Sequence, residues 1–374
     1  GPDGRAQGAG PARTVAVVGP NADDPHAQLG DWAGASGQVN WMPDGHPREL
    51  VSTVLDGLRA RVPSSWTVTH APGARIGTLV PDPEGPLYPD GQPRPPVFAP
   101  AADDPRLRAQ AVEAARAADW VVAVLGDDVS LTGEGRSTAT LDLQGGQIAL
   151  LDALVETGTP VVLVLVQGKP STLPPSAERV AAIVQAFNPG MAGGQAVAEV
   201  LLGLVEPSGR LPITVPRHVG QLPVFYNQVR GQHGSRYADL TQDPLFAFGE
   251  GMGYAPVTYS DLQVVEPVLG VDGTVRARVQ VHNLGDRPVR ETVQVYVSDT
   301  VTSVTWADRE LKAFMQVEVP AGQTVEVAVE VPVAACTLVD TAGHRVVEPG
   351  TLELLVGHSS RPADLLRASF EVRP

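Results

Sequence analysis

A group of carboxylates and glycines follows one apolar stretch of the sequence. After WVVAVLG (120–126), the segment DDVSLTGEGRSTATLDLQGGQ carries Asp127, Asp128 and Glu134. Glu134 stands between two glycines, whose backbone bends easily and can push the carboxylate outward. A projecting, mobile carboxylic acid suits general acid catalysis on a ligand held by a neighbouring surface. The alternative is a solvated loop acid with no chemical role, and composition alone favours that alternative.

A tryptophan in another loop is the second candidate for ligand binding. Trp32 lies in GDWAG, shortly after the apolar run TVAVVG (14–19) and its loop GPNADD. An exposed indole offers a flat apolar face to a sugar ring, but ordinary packing explains a tryptophan equally well. GPNADD lacks the G-x-G-x-x-G spacing and no Walker lysine follows it, which argues against nucleotide binding.

The sequence lacks the signatures of other kinds of catalytic site. The 8 histidines show no H-E-x-x-H or paired-ligand spacing, and no G-x-S-x-G motif is present. The single cysteine, Cys336, excludes an internal disulfide and a cysteine-based metal site. We therefore expect neither a metal nor a cofactor. One cysteine fits a reducing compartment, but bacterial secreted enzymes also lack disulfides, so the compartment stays open.

The charge of the chain excludes several classes of partner. The formal net charge of −15 predicts repulsion from nucleic acids and anionic membranes, whereas a neutral ligand is not hindered. No apolar run approaches the ~20 residues of a membrane span. The beginning, GPDGRAQGAGPAR, has no apolar middle region and is typical of a flexible linker rather than a signal peptide.

The first part of the chain alternates apolar runs with amphipathic stretches. Runs such as TVAVVG, WVVAVLG and VVLVLVQG predict strands that are buried on both faces, and segments 46–62 and 105–119 predict helices. This alternation predicts an α/β sandwich with a mostly parallel sheet over residues 13–216. Residues 77–104 are predicted to form a Pro-rich surface loop, too long for a simple connection.

The period changes to two near residue 261. TVRARVQVHN, ETVQVYVSD, QTVEVAVEVP and TLELLVG alternate apolar with polar residues between turn signals, which predicts an all-β sandwich of immunoglobulin or fibronectin type III character over 261–374. Between the two modules, 217–260 shows no clear period and is interpreted as an extended, ordered linker. Residues 1–12 are predicted to be a linker as well.

Several motifs, in order along the chain, resemble glycoside hydrolase family 3. VAVVGPNADDPHAQLGDWAG, GEGRSTATLDLQGGQIALLDAL, QAFNPGMAGGQAVAEVLLGLVEPSGRLPITVP and PLFAFGEGMGYAPVTYSDL are similar to its C-terminal α/β sandwich. ETVQVYVSD, RELKAFMQVEVPAGQTVEVAVEV and VVEPGTLELLVG are similar to the fibronectin type III-like domain of those enzymes. The resemblance runs from about residue 13 to residue 374. It is specific for the family and says little about the sugar.

The resemblance implies a retaining exo-acting β-glycosidase of β-glucosidase or β-xylosidase type, acting on an oligosaccharide or β-glycoside. In such enzymes the nucleophilic Asp lies on a preceding TIM-like barrel, which this chain has no room for. The acid/base Glu comes from the sandwich domain, and the G-E-G motif assigns it to Glu134. Trp32 falls where some relatives place an aromatic side chain on the aglycone side, and Trp32, Arg136 and Asp128 are predicted to contact the substrate. The loop departs from the family pattern at one point. Many relatives carry an Arg shortly after the acid/base Glu, whereas this sequence continues with Gly-Arg-Ser-Thr, so the detailed substrate contacts do not follow from the resemblance.

Two alternatives remain beside this interpretation. The chain without a barrel is expected to be inactive alone, so a non-catalytic carbohydrate-binding or assembly module is the rival function. An N-acetylglucosaminidase of the same family is disfavoured, because members of that type usually lack the sandwich. The sequence leaves the sugar, the linkage and association into a homo-oligomer open.

Overall fold

The computed structural model describes residues 11–33, 46–229 and 236–374. Most of the predicted linker 1–12 therefore lies outside the described residues. The chain divides into two compact units, of which the first ends at Val205 and the second runs from Glu206 to Pro374. The predicted limits at 216 and 260 do not coincide with this division and stay a prediction.

A parallel sheet of 5 strands forms the centre of the first unit, in the order β2-β1-β5-β6-β7. The elements of this unit are β1 (Thr14–Val18), α1 (Val54–Arg61), β2 (Thr67–Ala71), β3 (Gly77–Val80), β4 (Val97–Pro100), α2 (Pro105–Arg116), β5 (Trp120–Gly126), α3 (Gln147–Val155), β6 (Val161–Val166), β7 (Ala182–Phe187) and α4 (Gly193–Leu201). The predicted α/β class is confirmed.

Both faces of this sheet are buried, as the continuous apolar runs predict. On β1, Val15 and Val17 pack in one core with residues of α1 and α4, while Ala16 and Val18 pack in a second core with residues of α2 and α3. Successive side chains of a strand point to opposite faces, so both sets must be apolar. Because each fully buried Val or Leu contributes roughly 1.5–3 kcal/mol, the sheet is a rigid base for the loops at its edge.

Helix α1 is shorter than the predicted helix over 46–62. It begins after Thr53, whose hydroxyl accepts from the Asp56 N–H at 3.3 Å, while the Asp56 carboxylate accepts from the Thr53 N–H at 3.1 Å. This reciprocal capping fixes Val54 as the first residue of the helix. Arg48–Leu50 forms only a short 3-10 turn.

The Pro-rich segment 77–104 contains a hairpin that the sequence did not indicate. Strands β3 and β4 pair antiparallel, with Gly77 opposite Pro100 and Val80 opposite Val97. Within the described ranges each of the two strands pairs with the other alone, and Pro is tolerated in such edge strands.

The second unit contains two larger antiparallel-rich sheets, ordered β13-β10-β8 and β12-β11-β16-β17-β9. Apolar side chains of both sheets form one core, to which β10 contributes alternate residues such as Val275, Val279 and Val281. This confirms the predicted β-sandwich class. Its strands are β8 (Val257–Val264), β9 (Val268–Gly270), β10 (Thr274–Asn283), β11 (Val289–Asp299), β12 (Glu310–Val319), β13 (Thr324–Pro332), β14 (Leu338–Val339), β15 (Arg345–Val346), β16 (Gly350–Gly357) and β17 (Leu365–Arg373).

None of the helices in the described ranges combines the length and apolar composition that a bilayer crossing needs.

Candidate active site

The strand order of the first unit reverses between β1 and β5. The chain moves from β1 to β2 on one side, and later strands are added beyond β5 on the other side. In open α/β sheets, ligands bind beyond the carboxyl ends of the strands at such a reversal. The loops that follow β1 (19–33) and β5 (127–146) meet at this place, because the two strands are paired in parallel.

Side-chain amides tie these loops to the sheet edge. The Asn21 Nδ2 donates to the carbonyl oxygen of Asp127 at 2.7 Å. The Asn188 Nδ2 donates to the Ala27 carbonyl oxygen at 3.0 Å. Buried Gln147 closes the long loop, since its side chain accepts from the Gly126 N–H and donates to the Gly126 carbonyl oxygen, each at 2.8 Å. The loop that carries Glu134 therefore has a fixed base.

Asp31 connects the two loops at the predicted catalytic position. Its Oδ2 accepts a hydrogen bond from the backbone N–H of Glu134 at 3.4 Å. A Cβ on Gly133 would lie 2.0 Å from the same Oδ2, and Gly133 has φ +104°. Only glycine satisfies both the backbone angle and the close approach at this position.

Glu134 is exposed, and Gly135 after it also has a left-handed backbone with φ +72°. The glutamate therefore projects from a turn in which the residues on both sides have backbone conformations that favour glycine. The geometry presents a carboxyl group at the sheet edge, anchored through its backbone to Asp31. Such a group can exchange a proton with a ligand bound beyond the edge.

Trp32 lies next to Asp31 and presents its indole to the surface. The residue is 61% exposed and has φ +59°. A left-handed backbone is an outlier for a bulky residue and costs of order 1–3 kcal/mol, so the surrounding structure must impose it. Strain of this kind concentrates at ligand-binding positions, which favours a binding role over ordinary packing.

The other two predicted binding residues are half-buried in the same loop. The Asp128 carboxylate accepts from the backbone N–H of Ser130 at 2.8 Å and from the Ser130 hydroxyl, and so caps the short turn Val129–Leu131. The backbone N–H of Arg136 donates to the Gly133 carbonyl oxygen at 3.2 Å. Contacts of either residue with substrate stay a prediction, as does the catalytic role of Glu134.

An ion pair between a half-buried lysine and a buried aspartate at the base of the loop was not predicted. The Lys169 Nζ lies 2.8 Å from the Asp127 Oδ2 and 3.3 Å from the Leu131 carbonyl oxygen. Burial raises the pKa of Asp127 above its ordinary value of 3.8, although the Lys169 ammonium opposes the shift. The sequence indicates that Lys169 follows β6 closely and lies at the same edge as the loop after β5, but it does not indicate that β5 and β6 are neighbours.

Asp31 was also not among the site residues predicted from the sequence. Its Oδ1 is buried and has no hydrogen-bond partner within the described part of the chain. An unpaired buried carboxylate oxygen is unusual and marks a position where a ligand or a further donor belongs. Its place beside Trp32 in GDWAG was the only sequence signal.

The comparisons with known proteins agree with this architecture. Residues 10–254 match the profile of the glycosyl hydrolase family 3 C-terminal domain, and residues 291–360 match that of a fibronectin type III-like domain. The chain thus belongs to glycosyl hydrolase family 3, and the resemblance deduced from its motifs is confirmed.

Its relatives are glycoside hydrolases. A periplasmic beta-glucosidase of Salmonella typhimurium is 32% identical and a beta-xylosidase of Formosa agariphila is 33% identical, each over 96% of this chain and 46% of the relative. A solved β-glucosidase involved in saponin metabolism from intestinal bacteria superposes with a TM-score of 0.90 at 52% identity, over 96% of this chain and 50% of that chain. The chain spans about half the length of the curated relatives it matches.

Proposed function

We propose that this chain is the C-terminal part of a retaining exo-β-glycosidase of the β-glucosidase or β-xylosidase type. Glu134 is its general acid/base, and an Asp on an N-terminal TIM-like barrel is the nucleophile. The observation that carries this proposal is the exposed Glu134 carboxyl at the strand-order reversal, held by the contact of Asp31 with the Glu134 N–H. The names of the relatives support the reaction class.

The chemistry requires two carboxyl groups with different tasks. The barrel Asp attacks the anomeric carbon while Glu134 protonates the departing glycosidic oxygen, which leaves a covalent glycosyl-enzyme. Glu134, now ionised, then takes a proton from the water that attacks this intermediate. A carboxyl group on a glycine-flanked turn can serve in both steps because it reaches the leaving oxygen and then the incoming water from one place.

The remaining predicted residues are assigned to substrate. Trp32 provides an apolar platform beside Glu134 for the leaving-group side of a β-glycoside. Arg136 and Asp128 are proposed to bind substrate hydroxyls. The substrate is an oligosaccharide or β-glycoside, and the partner of the chain is the barrel domain.

Glu134→Gln in the barrel-containing protein tests the assignment. Losing a general acid lowers kcat/KM by roughly 10²–10⁴-fold for aryl β-glycosides with poor leaving groups, and much less for good ones. Rates are measured across a series of substituted phenyl β-glucosides and β-xylosides. Glu178→Gln, which changes another exposed carboxylate of the first unit, is the matched control and should leave the rates unchanged.

A loss of equal size for good and poor leaving groups would contradict the role of Glu134. If no barrel restores hydrolysis while the chain still binds xylo- or cello-oligosaccharides, the non-catalytic module is the better description.

A further inference from the structure

The second unit contains a cavity of about 520 Å³. Its lining residues are Thr214 and residues from the stretches 221–229, 242–247, 308–309 and 360–363. The volume lies within the range of roughly 300–1,000 Å³ that is typical of small-molecule sites. Among the described residues, all those that line the cavity belong to the unit that starts at Glu206, and none belongs to the loops around Glu134.

The charges on the cavity wall are balanced. Arg309 and Arg361 line the cavity together with Asp243 and Asp308. The Arg309 Nη2 lies 2.7 Å from the Asp308 Oδ2, and the Arg361 Nε lies 2.9 Å from Glu250 Oε2. Because the guanidinium groups already have carboxylate partners, the wall offers fixed polar groups without a net charge. Such a surface suits a neutral polar ligand.

The cavity also presents an aromatic face beside amides. Phe225 is 42% exposed, and the side chains of Gln228 and Gln242 line the same space. A phenyl ring stacks on the C–H face of a sugar, while amides can donate to and accept from its hydroxyls. A charged or a purely apolar ligand would make use of only some of these aromatic and amide groups.

One polar group in the wall has unused hydrogen-bonding capacity. Thr214 lines the cavity, is 6% exposed, and its hydroxyl oxygen has no hydrogen-bond partner among the described residues. A buried hydroxyl without a partner costs free energy, so this part of the wall contains a polar group that no described residue satisfies.

The wall is held in place before any ligand arrives. Tyr226 stacks on Phe248 with 4.1 Å between the ring centroids, and its hydroxyl accepts from the Leu311 N–H at 3.1 Å. The Ser360 N–H donates to the Phe248 carbonyl oxygen at 3.0 Å. A preformed wall lowers the ordering cost of binding.

We propose that this cavity is a second carbohydrate-binding site, which takes one or two neutral sugar units with Phe225 as the stacking platform. The proposal does not depend on the role of Glu134. It gives the second unit a function of its own, the retention of saccharide by the protein.

Calorimetric titration of the chain with cellobiose and xylobiose tests the site. We expect Phe225→Ala to weaken binding about tenfold or more, as truncation of an aromatic anchor usually does. Phe314→Ala is the matched control, because Phe314 is a 66% exposed phenylalanine of the same unit outside the cavity lining. Gln242→Leu provides a second variant if Phe225→Ala lowers the melting temperature strongly.

Two further variants distinguish binding in the cavity from binding at the site around Glu134. Trp32→Ala and Glu134→Gln change the Glu134 site and should leave the affinity of the cavity for the disaccharides unchanged. Three results would overturn the proposal. They are no binding of either disaccharide by the wild-type chain, equal losses in Phe225→Ala and Phe314→Ala, and tighter binding of glucuronate than of the neutral sugars.

Discussion

The two units of this chain place their polar groups in different ways. In the first, helices cover both faces of the parallel sheet, so the polar side chains with access to a ligand lie on loops at one edge. In the second, alternate strand residues face solvent, and polar groups are spread over the faces of the sheets. Chemistry in the first unit therefore depends on the backbone geometry of a few loop residues. The stability of the second unit depends on the hydrogen bonds and ion pairs that its buried polar groups make.

A buried ion pair illustrates the second case. The Arg210 Nη2 lies 2.8 Å from the Glu291 Oε2, and the two side chains are only 7% and 5% exposed. The Tyr259 hydroxyl donates to the Glu291 Oε1 at 2.8 Å. Burial raises the pKa of Tyr259 far above its ordinary value of 10.0, so this hydroxyl stays a donor.

Breaking that pair is expected to give the largest effect. Glu291→Gln leaves the guanidinium of Arg210 buried without its carboxylate, which should lower the free energy of unfolding of the second unit by about 3–5 kcal/mol. Urea unfolding measures the loss. Arg290→Ala is the control, because Arg290 meets Glu318 at 3.9 Å with both side chains more than half exposed, and it should cost less than about 1 kcal/mol. Equal losses in the two variants would contradict the contrast between buried and exposed pairs.

The next effect concerns the loop geometry of the first unit. In Gly133→Ala, the new Cβ meets the Asp31 carboxylate and displaces Glu134, and a shift of about 1 Å can lower kcat about 10²-fold. Gly135→Ala is a close control, since Gly135 also has positive φ but no atom of the described residues lies within 4 Å of the position that its new methyl group would take. We expect it to lose less than about tenfold in aryl β-glycoside hydrolysis, because its side chain meets no described residue whose contact could displace Glu134. If Gly133→Ala and Gly135→Ala lost equal amounts of activity, the role of Asp31 in positioning Glu134 would be refuted.

A smaller effect measures the strain at Trp32. Trp32→Gly and Trp32→Ala both remove the indole, but only glycine adopts φ +59° without steric cost. We expect the glycine variant to be more stable than the alanine variant by about 1 kcal/mol, although alanine is the better residue in most loops. Thermal and urea unfolding provide the comparison. An alanine variant as stable as the glycine variant would show that the backbone there is not strained.

The smallest effect is the pH dependence that Asp127 contributes. Because burial raises the pKa of Asp127 in the folded chain, its contribution to stability is fully present below the ordinary value of 3.8 and is lost as pH rises through the raised pKa. The stability of the wild type relative to Asp127→Asn, measured by urea unfolding, should therefore fall as pH rises from 3.8 through the raised pKa. A relative stability that rises over this interval would mean that the Lys169 ammonium outweighs burial.

Much of the fold could be predicted from the sequence, because periodicity reports which faces are buried. The continuous run of β5 and the alternation of β10 indicated an α/β unit followed by a β-sandwich. The start of α1 was missed, since the capping by Thr53 competes with an apolar pattern that continues further back. The hairpin of β3 and β4 was missed because Pro-rich segments carry no strand period.

The candidate site was predictable only in part. The glycines around Glu134 are visible in the sequence, but the contact of Asp31 with the Glu134 N–H joins residues 103 positions apart. The ion pair of Asp127 and Lys169 spans 42 positions. Such contacts follow from the order of the strands, which periodicity does not encode. The left-handed backbone of Trp32 is likewise imposed by its surroundings and not by its residue type.

Chemical rescue of Glu134→Ala tests the central claim most directly. In the barrel-containing protein, the variant is given an aryl β-glycoside with a good leaving group, with and without azide. If Glu134 is the acid/base, the glycosyl-enzyme accumulates, and azide, which needs no general base, should accelerate turnover and yield a glycosyl azide of β configuration. A variant whose rate equals that of the wild type and does not respond to azide would contradict the account.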